Sequence, residues 1–225
     1  MAIMLAKYLD STNLQAEARA SDIESLCQEA RQFQVAAVCV NPFRLELACH
    51  LLAGTPVKAC TVIAFPLGAD HWKNKVDSAR RALQMGAAEL DMVMNIGAFK
   101  DRDYRLVERE IKELLRLREE YAFLLKVIVE TALLSKGELQ DISALLSNSE
   151  ADFIKTSTGF SSRGVTLEDI EIIRESRQRK DLKIKASGGI KSLDFALELL
   201  KAGVDRIGSS SALALLEEYR QRGGQ

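Results

Sequence analysis

ADFIKTSTGF (151–160), LKIKASGGI (182–190) and VDRIGSSSAL (204–213) decide the fold between them. Each begins as a short β-favourable run and breaks into glycine and hydroxyl residues, and a longer stretch with helical spacing follows. Toward the N-terminus the same alternation recurs in FLLKVIVE (123–130), ELDMVMN (89–95), VKACTVIAF (57–65) and QVAAVCVN (34–41), and Tyr8 to Thr12 supplies a short, weak first strand. The runs are nearly continuous in apolar character, as parallel strands covered by helices require. Their spacing of roughly 20 to 35 residues suits right-handed βα units. No Pro/Gly/Ser linker divides them, so residues 1–225 are predicted to form one α/β domain, a (β/α)8 TIM barrel. Periodicity by itself leaves a doubly wound open sheet as the alternative.

The helical stretches carry their own signals. Ser21 with Glu24, Ser135 with Glu138, and Thr166 with Asp169 resemble helix openings in which a hydroxyl and a carboxylate satisfy free backbone N–H groups. Val107, Ile111, Leu114 and Leu115 share one face, as do Leu193, Ala196, Leu197 and Leu200. Gly54, Gly86 and Gly203 stand where helices should end.

Composition narrows the chemistry. Hydrophobic residues make up 47% of the chain, and 31 basic against 32 acidic residues leave a net charge of -1 with no basic stripe. A disordered chain and a dedicated nucleic-acid surface are both disfavoured. No stretch approaches a membrane span and the N-terminus has no leader pattern, so a cytoplasmic enzyme without a membrane partner is expected. Cys27, Cys39, Cys49 and Cys60 lack close spacing and lie in or beside apolar segments, as reduced thiols do; Cys39 and Cys60 read as small apolar fillers. His50 and His71 are the only histidines, so one copy of the chain cannot build a three-imidazole zinc centre.

In a barrel the carboxyl ends of the strands form the active rim, and polar residues collect there. Lys155 and Lys185 each interrupt a strand near that end. A neutral amine can attack a carbonyl to form an imine, and a second ammonium or a dry setting lowers its pKa. The residues alone leave open which lysine is the nucleophile, and whether both are structural. Asp91, between Leu90 and Met92, can compensate a lysine or move a proton. Asp10 and Thr12 can add rim hydrogen bonds, Lys126 and Glu130 can pair, and Lys183 belongs at the opposite end. SGGI (187–190) and IGSSSAL (207–213) present backbone N–H groups after the last two strands, where phosphate binds in many such barrels; Gly159 and SSRG (161–164) can close an adjacent edge.

VCVNP (38–42), IAFPLG (63–68), ELDMVMNIGA (89–98), LKVIVET (125–131), ADFIKTSTGF (151–160), IKASGGI (184–190) and DRIGSSSAL (205–213), in this order, resemble the deoxyribose-phosphate aldolase family over about residues 8 to 212. The resemblance implies a class I aldolase: Lys155 forms the imine, Lys185 tunes it and Asp91 supports proton transfer. It further implies substrate or phosphate contacts at Asp10, Thr12, Gly159, Gly188, Gly189, Gly208, Ser210 and Ser211. The implied partners are a small phosphorylated sugar, 2-deoxy-D-ribose 5-phosphate, and a short aldehyde, in deoxyribose phosphate catabolism. A homodimer or higher homo-oligomer is expected, and no metal, nicotinamide or pyridoxal phosphate is implied. The chain reads Asp10-Ser11-Thr12 where many relatives read Asp-His-Thr, and it ends GGQ rather than in a tyrosine, so proton exchange is expected to lean on water. A related imine-forming aldolase with a pocket altered at Phe65, Leu67 and Phe160, or a noncatalytic sugar-phosphate binder, are the alternatives.

Overall fold

Alternate residues of the eight runs take opposite sides of one closed sheet. In the computed structural model, which describes residues 4–224, the ladder-paired strands are β1 (Leu9–Asn13), β2 (Ala37–Val40), β3 (Lys58–Ile63), β4 (Glu89–Val93), β5 (Leu124–Ile128), β6 (Phe153–Lys155), β7 (Lys183–Ser187) and β8 (Arg206–Ser209). Neighbours are parallel throughout, and β8 returns to β1 with Leu9 opposite Ile207 and Asp10 opposite Gly208. Closure removes the open-sheet alternative. The beginning of the segment read for a leader, and Gln225 of the terminal GGQ, lie outside the described residues.

The helices are α1 (Ala20–Phe33), α2 (Leu45–Leu52), α3 (Trp72–Gln84), α4 (Ile96–Lys100), α5 (Tyr104–Leu115), α6 (Lys136–Ser147), α7 (Leu167–Ser176), α8 (Leu193–Lys201) and α9 (Ala212–Gln221). Ser135 caps α6 and Thr166 caps α7: each hydroxyl accepts from the N–H three residues on, and Glu138 and Asp169 accept from the cap N–H in return. Ser21 does not cap α1. The cap is Arg19, two residues earlier, where the carboxylate of Asp22 accepts from Arg19 N–H at 2.8 Å. On α8 the buried line is Leu193, Ala196 and Leu199, with Leu197 and Leu200 only half-buried, so the helix is rotated from the expected face. Gly54, Gly86 and Gly203 have φ of 72°, 103° and 96°.

The main core lies between strands and helices, where Leu90, Met92, Leu125, Val127, Ile154, Ile184 and Ile207 meet residues such as Ile111, Leu114, Ile142, Ile173 and Leu193. Burying each such side chain is worth about 1.5–3 kcal/mol. The inside of the barrel differs. Ala37, Cys39, Cys60 and Val62 form a small apolar wall with Leu14 and Phe65, and a cluster of charged side chains occupies the middle of the interior, with Arg206 lying over the Phe153 ring. No described helix is long and apolar enough to cross a membrane.

Candidate active site

Period-two alternation turns Asp91, Lys126, Lys155 and Lys185 inward from β4, β5, β6 and β7. Lys155 Nζ donates to Asp91 Oδ2 at 2.7 Å, and Lys185 Nζ donates to the same oxygen at 2.8 Å. Lys126 Nζ takes Oδ1 at 2.8 Å, and Cys60 Sγ donates to Oδ1 at 3.2 Å. The two lysines therefore meet through a carboxylate rather than face to face.

Below this carboxylate a second one continues the network. Asp10 accepts from Lys185, and from Arg206 at 2.6 Å; Glu89 lies 2.5 Å from Lys126 and 3.4 Å from Arg206. Four cations thus face three carboxylates. Burial alone would raise the Asp91 carboxyl, but Lys126, Lys155 and Lys185 outweigh it and hold it well below the usual carboxylate range. Asp10 is likewise depressed, by Lys185, Arg206 and Lys126 against burial. Burial disfavours the ammonium forms of Lys126 and Lys185, but Asp91 beside the first and Asp10 with Asp91 beside the second reverse this and hold both above the usual lysine range.

Cys39, Cys60 and Asp91 each place one possible metal-ligand atom within 4.8 Å of the others. The donor set does not suit a cation, because both Asp91 oxygens already serve ammonium groups and three of those groups would face the ion.

Above the charges opens a cavity of about 470 Å³, lined by Thr12, Lys155, Gly159, Gly188, Gly189, Gly208 and Ser210 among others. Lys155 is its floor. Lys185, Lys126 and Asp91 are wholly buried beneath it. The rim is made of backbone turned toward open space: Gly188 and Gly189 have φ of 83° and 75°, and Gly164 sits so close that a Cβ there would lie 2.0 Å from Gly188 O. Only glycine permits both the left-handed turn and the contact beneath it. Gly208 has a further reason to lack a side chain, since a Cβ there would come 3.1 Å from Lys185 Cε.

The family model of the DeoC/LacD family aldolases matches residues 4–220. The chain belongs to that family. A deoxyribose-phosphate aldolase of Clostridium perfringens is 46% identical over 213 residues, which span 95% of this chain and 94% of the relative. Among solved structures, QR15, an aldolase, superposes with a TM-score of 0.92 at 40% identity, covering 97% of both chains. The tetrameric deoxyribose phosphate aldolase of Aeropyrum pernix superposes with a TM-score of 0.89 at 31% identity, covering 97% of this chain and 92% of the other.

In this DeoC/LacD family aldolase three placements differ from those expected. Asp10 is wholly buried, does not line the cavity, and is bonded to Lys185 and Arg206 instead of standing at the rim. Ser211 also falls outside the lining; its N–H donates to Ser209 Oγ at 3.0 Å at the start of α9. Lys126 pairs with Asp91 and Glu89, while Glu130, beyond the end of β5, binds the N–H and hydroxyl of Thr158. Cys60 is part of the polar network and not only a filler. Lys183 is exposed at the start of β7, away from the cavity. Phe65 and Phe160 stack edge to face at the rim, 5.3 Å between centroids, and Leu67 is exposed.

Glu89 and Arg206 were missed. Both carry a signal: each stands two residues before a residue of the interior, Asp91 and Gly208, and so shares its side of the strand.

Proposed function

We propose that this aldolase is a deoxyribose-phosphate aldolase that cleaves and forms the C2–C3 bond of 2-deoxy-D-ribose 5-phosphate through an imine on Lys155. One observation carries the reading: of the four enclosed cations, Lys155 is the one that lines the cavity, and it shares Asp91 Oδ2 with Lys185.

One neutral lysine balances the charges of the interior. When Lys155 gives up its proton, Lys126, Lys185 and Arg206 stand opposite Asp10, Glu89 and Asp91, and the interior is balanced. The free amine attacks C1 of the open aldehyde, and loss of water gives a protonated imine. Its positive charge forms beside Asp91, a carboxylate already in place to stabilise it. Deprotonation of the C3 hydroxyl then drives the C2–C3 bond electrons into the imine, glyceraldehyde 3-phosphate departs, and an enamine remains. Protonation of its terminal carbon and hydrolysis release acetaldehyde and restore Lys155. Lys185, held charged between Asp10 and Asp91, keeps a positive charge beside Lys155 through their shared oxygen, and Asp91 with water passes the protons.

The glycine rim at 188–189, with Gly159 packed beside Gly188 and Ser210 in the same lining, offers N–H donors for the phosphate, and Thr12 adds a hydroxyl to the same cavity. The tetrameric relative from Aeropyrum pernix supports a homo-oligomer. The test is product formation by chelator-treated protein supplied with deoxyribose 5-phosphate. Acetaldehyde and a triose phosphate in equal amounts are expected; neither product, or one without the other, contradicts the reading.

A further inference from the structure

Behind β4, on the side away from the cavity, two helices bury an ion pair. Lys75 of α3 is 0% exposed and Glu110 of α5 is 1% exposed, with Lys75 Nζ 2.6 Å from Glu110 Oε2. A buried pair of this kind is a poor source of stability, since well-packed apolar side chains of the same volume do as well or better. Each partner, however, makes a second bond. Lys75 Nζ donates to Val93 O at 2.9 Å, and Asn95 N–H donates to Glu110 Oε1 at 2.7 Å. Between them, Met94 N–H donates to Ile128 O at 3.1 Å. Three consecutive residues at the exit of β4 are thereby fixed through their backbone, two of them by the ion pair. The loop after β3 closes the segment from another side, where a Cβ on Gly68 would lie 2.0 Å from Met94 O.

Asp91 stands two residues before Val93 on the same strand. Its Oδ2 must reach Lys155 and Lys185 at once, which leaves little tolerance for a shift of the strand end. We propose that Lys75 and Glu110 are positioning residues for Asp91, a clasp on the outside of β4 that holds the carboxylate between the two lysines. The catalytic meaning of the clasp rests on the imine reading above, but the placement of Asp91 can be measured without it. Burial pushes the Lys75 ammonium down and the Glu110 carboxyl up, and each shift is offset chiefly by the other residue.

The test compares wild type with Lys75→Met/Glu110→Leu, which fills the space and removes both backbone bonds, and with Lys75→Met/Glu110→Gln, which keeps an acceptor for Asn95 N–H. Leu52→Ala, a truncation in α2 remote from β4, controls for lost stability. Labelling of Lys155 by acetaldehyde and cyanoborohydride, followed against pH by peptide mass analysis, reports the charge around that amine. Lys155 faces Asp91 from β4 and Lys185 from β7, with Lys126 of β5 and Asp10 of β1 bonded to these in turn. If Asp91 recedes, the neighbouring ammonium groups remain, and the labelling midpoint of the Met/Leu protein moves to lower pH by roughly one unit.

Its kcat on deoxyribose 5-phosphate falls about 10- to 100-fold with KM within about twofold of wild type. The Met/Gln protein recovers part of both, and Leu52→Ala melts earlier with midpoint and kcat unchanged. A Met/Leu protein that is folded and keeps the wild-type midpoint and kcat overturns the proposal. Should that variant fail to fold, the Met/Gln protein decides, an unchanged midpoint again being fatal. A wild type that labels at Lys155 yet cleaves no deoxyribose 5-phosphate would overturn the substrate reading, and the midpoints would still decide the clasp.

Discussion

Lys155 and Lys185 reach Asp91 through one oxygen, Oδ2, at 2.7 and 2.8 Å. Replacing that oxygen by an amide removes a charge shared by three ammonium groups and leaves them opposite Asp10 and Glu89 alone. Asp91→Asn is expected to lower kcat by about 10²- to 10⁴-fold, the range of a lost acid–base group. It should also destabilise the fold by about 3–5 kcal/mol, as breaking a buried ion pair does. Steady-state kinetics with a urea titration check both; an Asn variant with kcat near wild type would remove Asp91 from the proton path.

The phosphate reading predicts a different signature from a residue that touches no reacting atom. Gly164 supports the 188–189 turn, and Val165 N–H donates to Gly188 O at 3.2 Å. In Gly164→Ala the new Cβ would collide with Gly188 O, so one of the two chains must move. KM for deoxyribose 5-phosphate is expected to rise roughly tenfold, equivalent to about 1.4 kcal/mol, while labelling of Lys155 by acetaldehyde, which has no phosphate, stays at the wild-type level. Equal losses in both assays would place the damage at Lys155 instead.

Acid stability should depend on Asp10. Its folded carboxyl lies below the ordinary value of 3.8, because Lys185, Arg206 and Lys126 outweigh the burial that would raise it. The unfolded chain therefore binds the proton more readily. The stabilisation is present above about pH 4 and is lost as pH falls toward the folded value. Urea titrations at pH 7, 5, 4 and 3 are expected to show a steep loss for wild type and a shallower one for Asp10→Asn, which starts less stable at pH 7. Parallel curves would mean that Asp10 is not depressed in the folded protein.

Much of this was legible in the sequence, for identifiable reasons. Seven apolar runs and a weak first one, separated by amphipathic stretches, allow few arrangements, and the inward side of each strand follows from alternation. Lys155, Lys185 and Asp91 stood out because a charge inside an apolar run demands a partner. Depth along the barrel was not legible. Lys126 and Glu130 share a side of the chain, yet strand register sets Lys126 opposite Asp91, while Glu130 lies past the strand end with φ 55°.

Asp10 was placed at the rim for the same reason, whereas closure of β1 on β8 sets it level with Gly208, under Lys185. The Lys75–Glu110 clasp joins residues 35 apart on two helices. Within WKNKVDSARR and VEREIKELL these two charges look like their exposed neighbours. Only the docking of α3 against α5 distinguishes them.

Borohydride added with acetaldehyde, followed by peptide mass analysis, tests the central assignment most directly. The account predicts a reduced two-carbon adduct on Lys155 in wild type, and no such adduct in Lys155→Leu. Trapping on Lys185, or undiminished trapping and cleavage in Lys155→Leu, would contradict it.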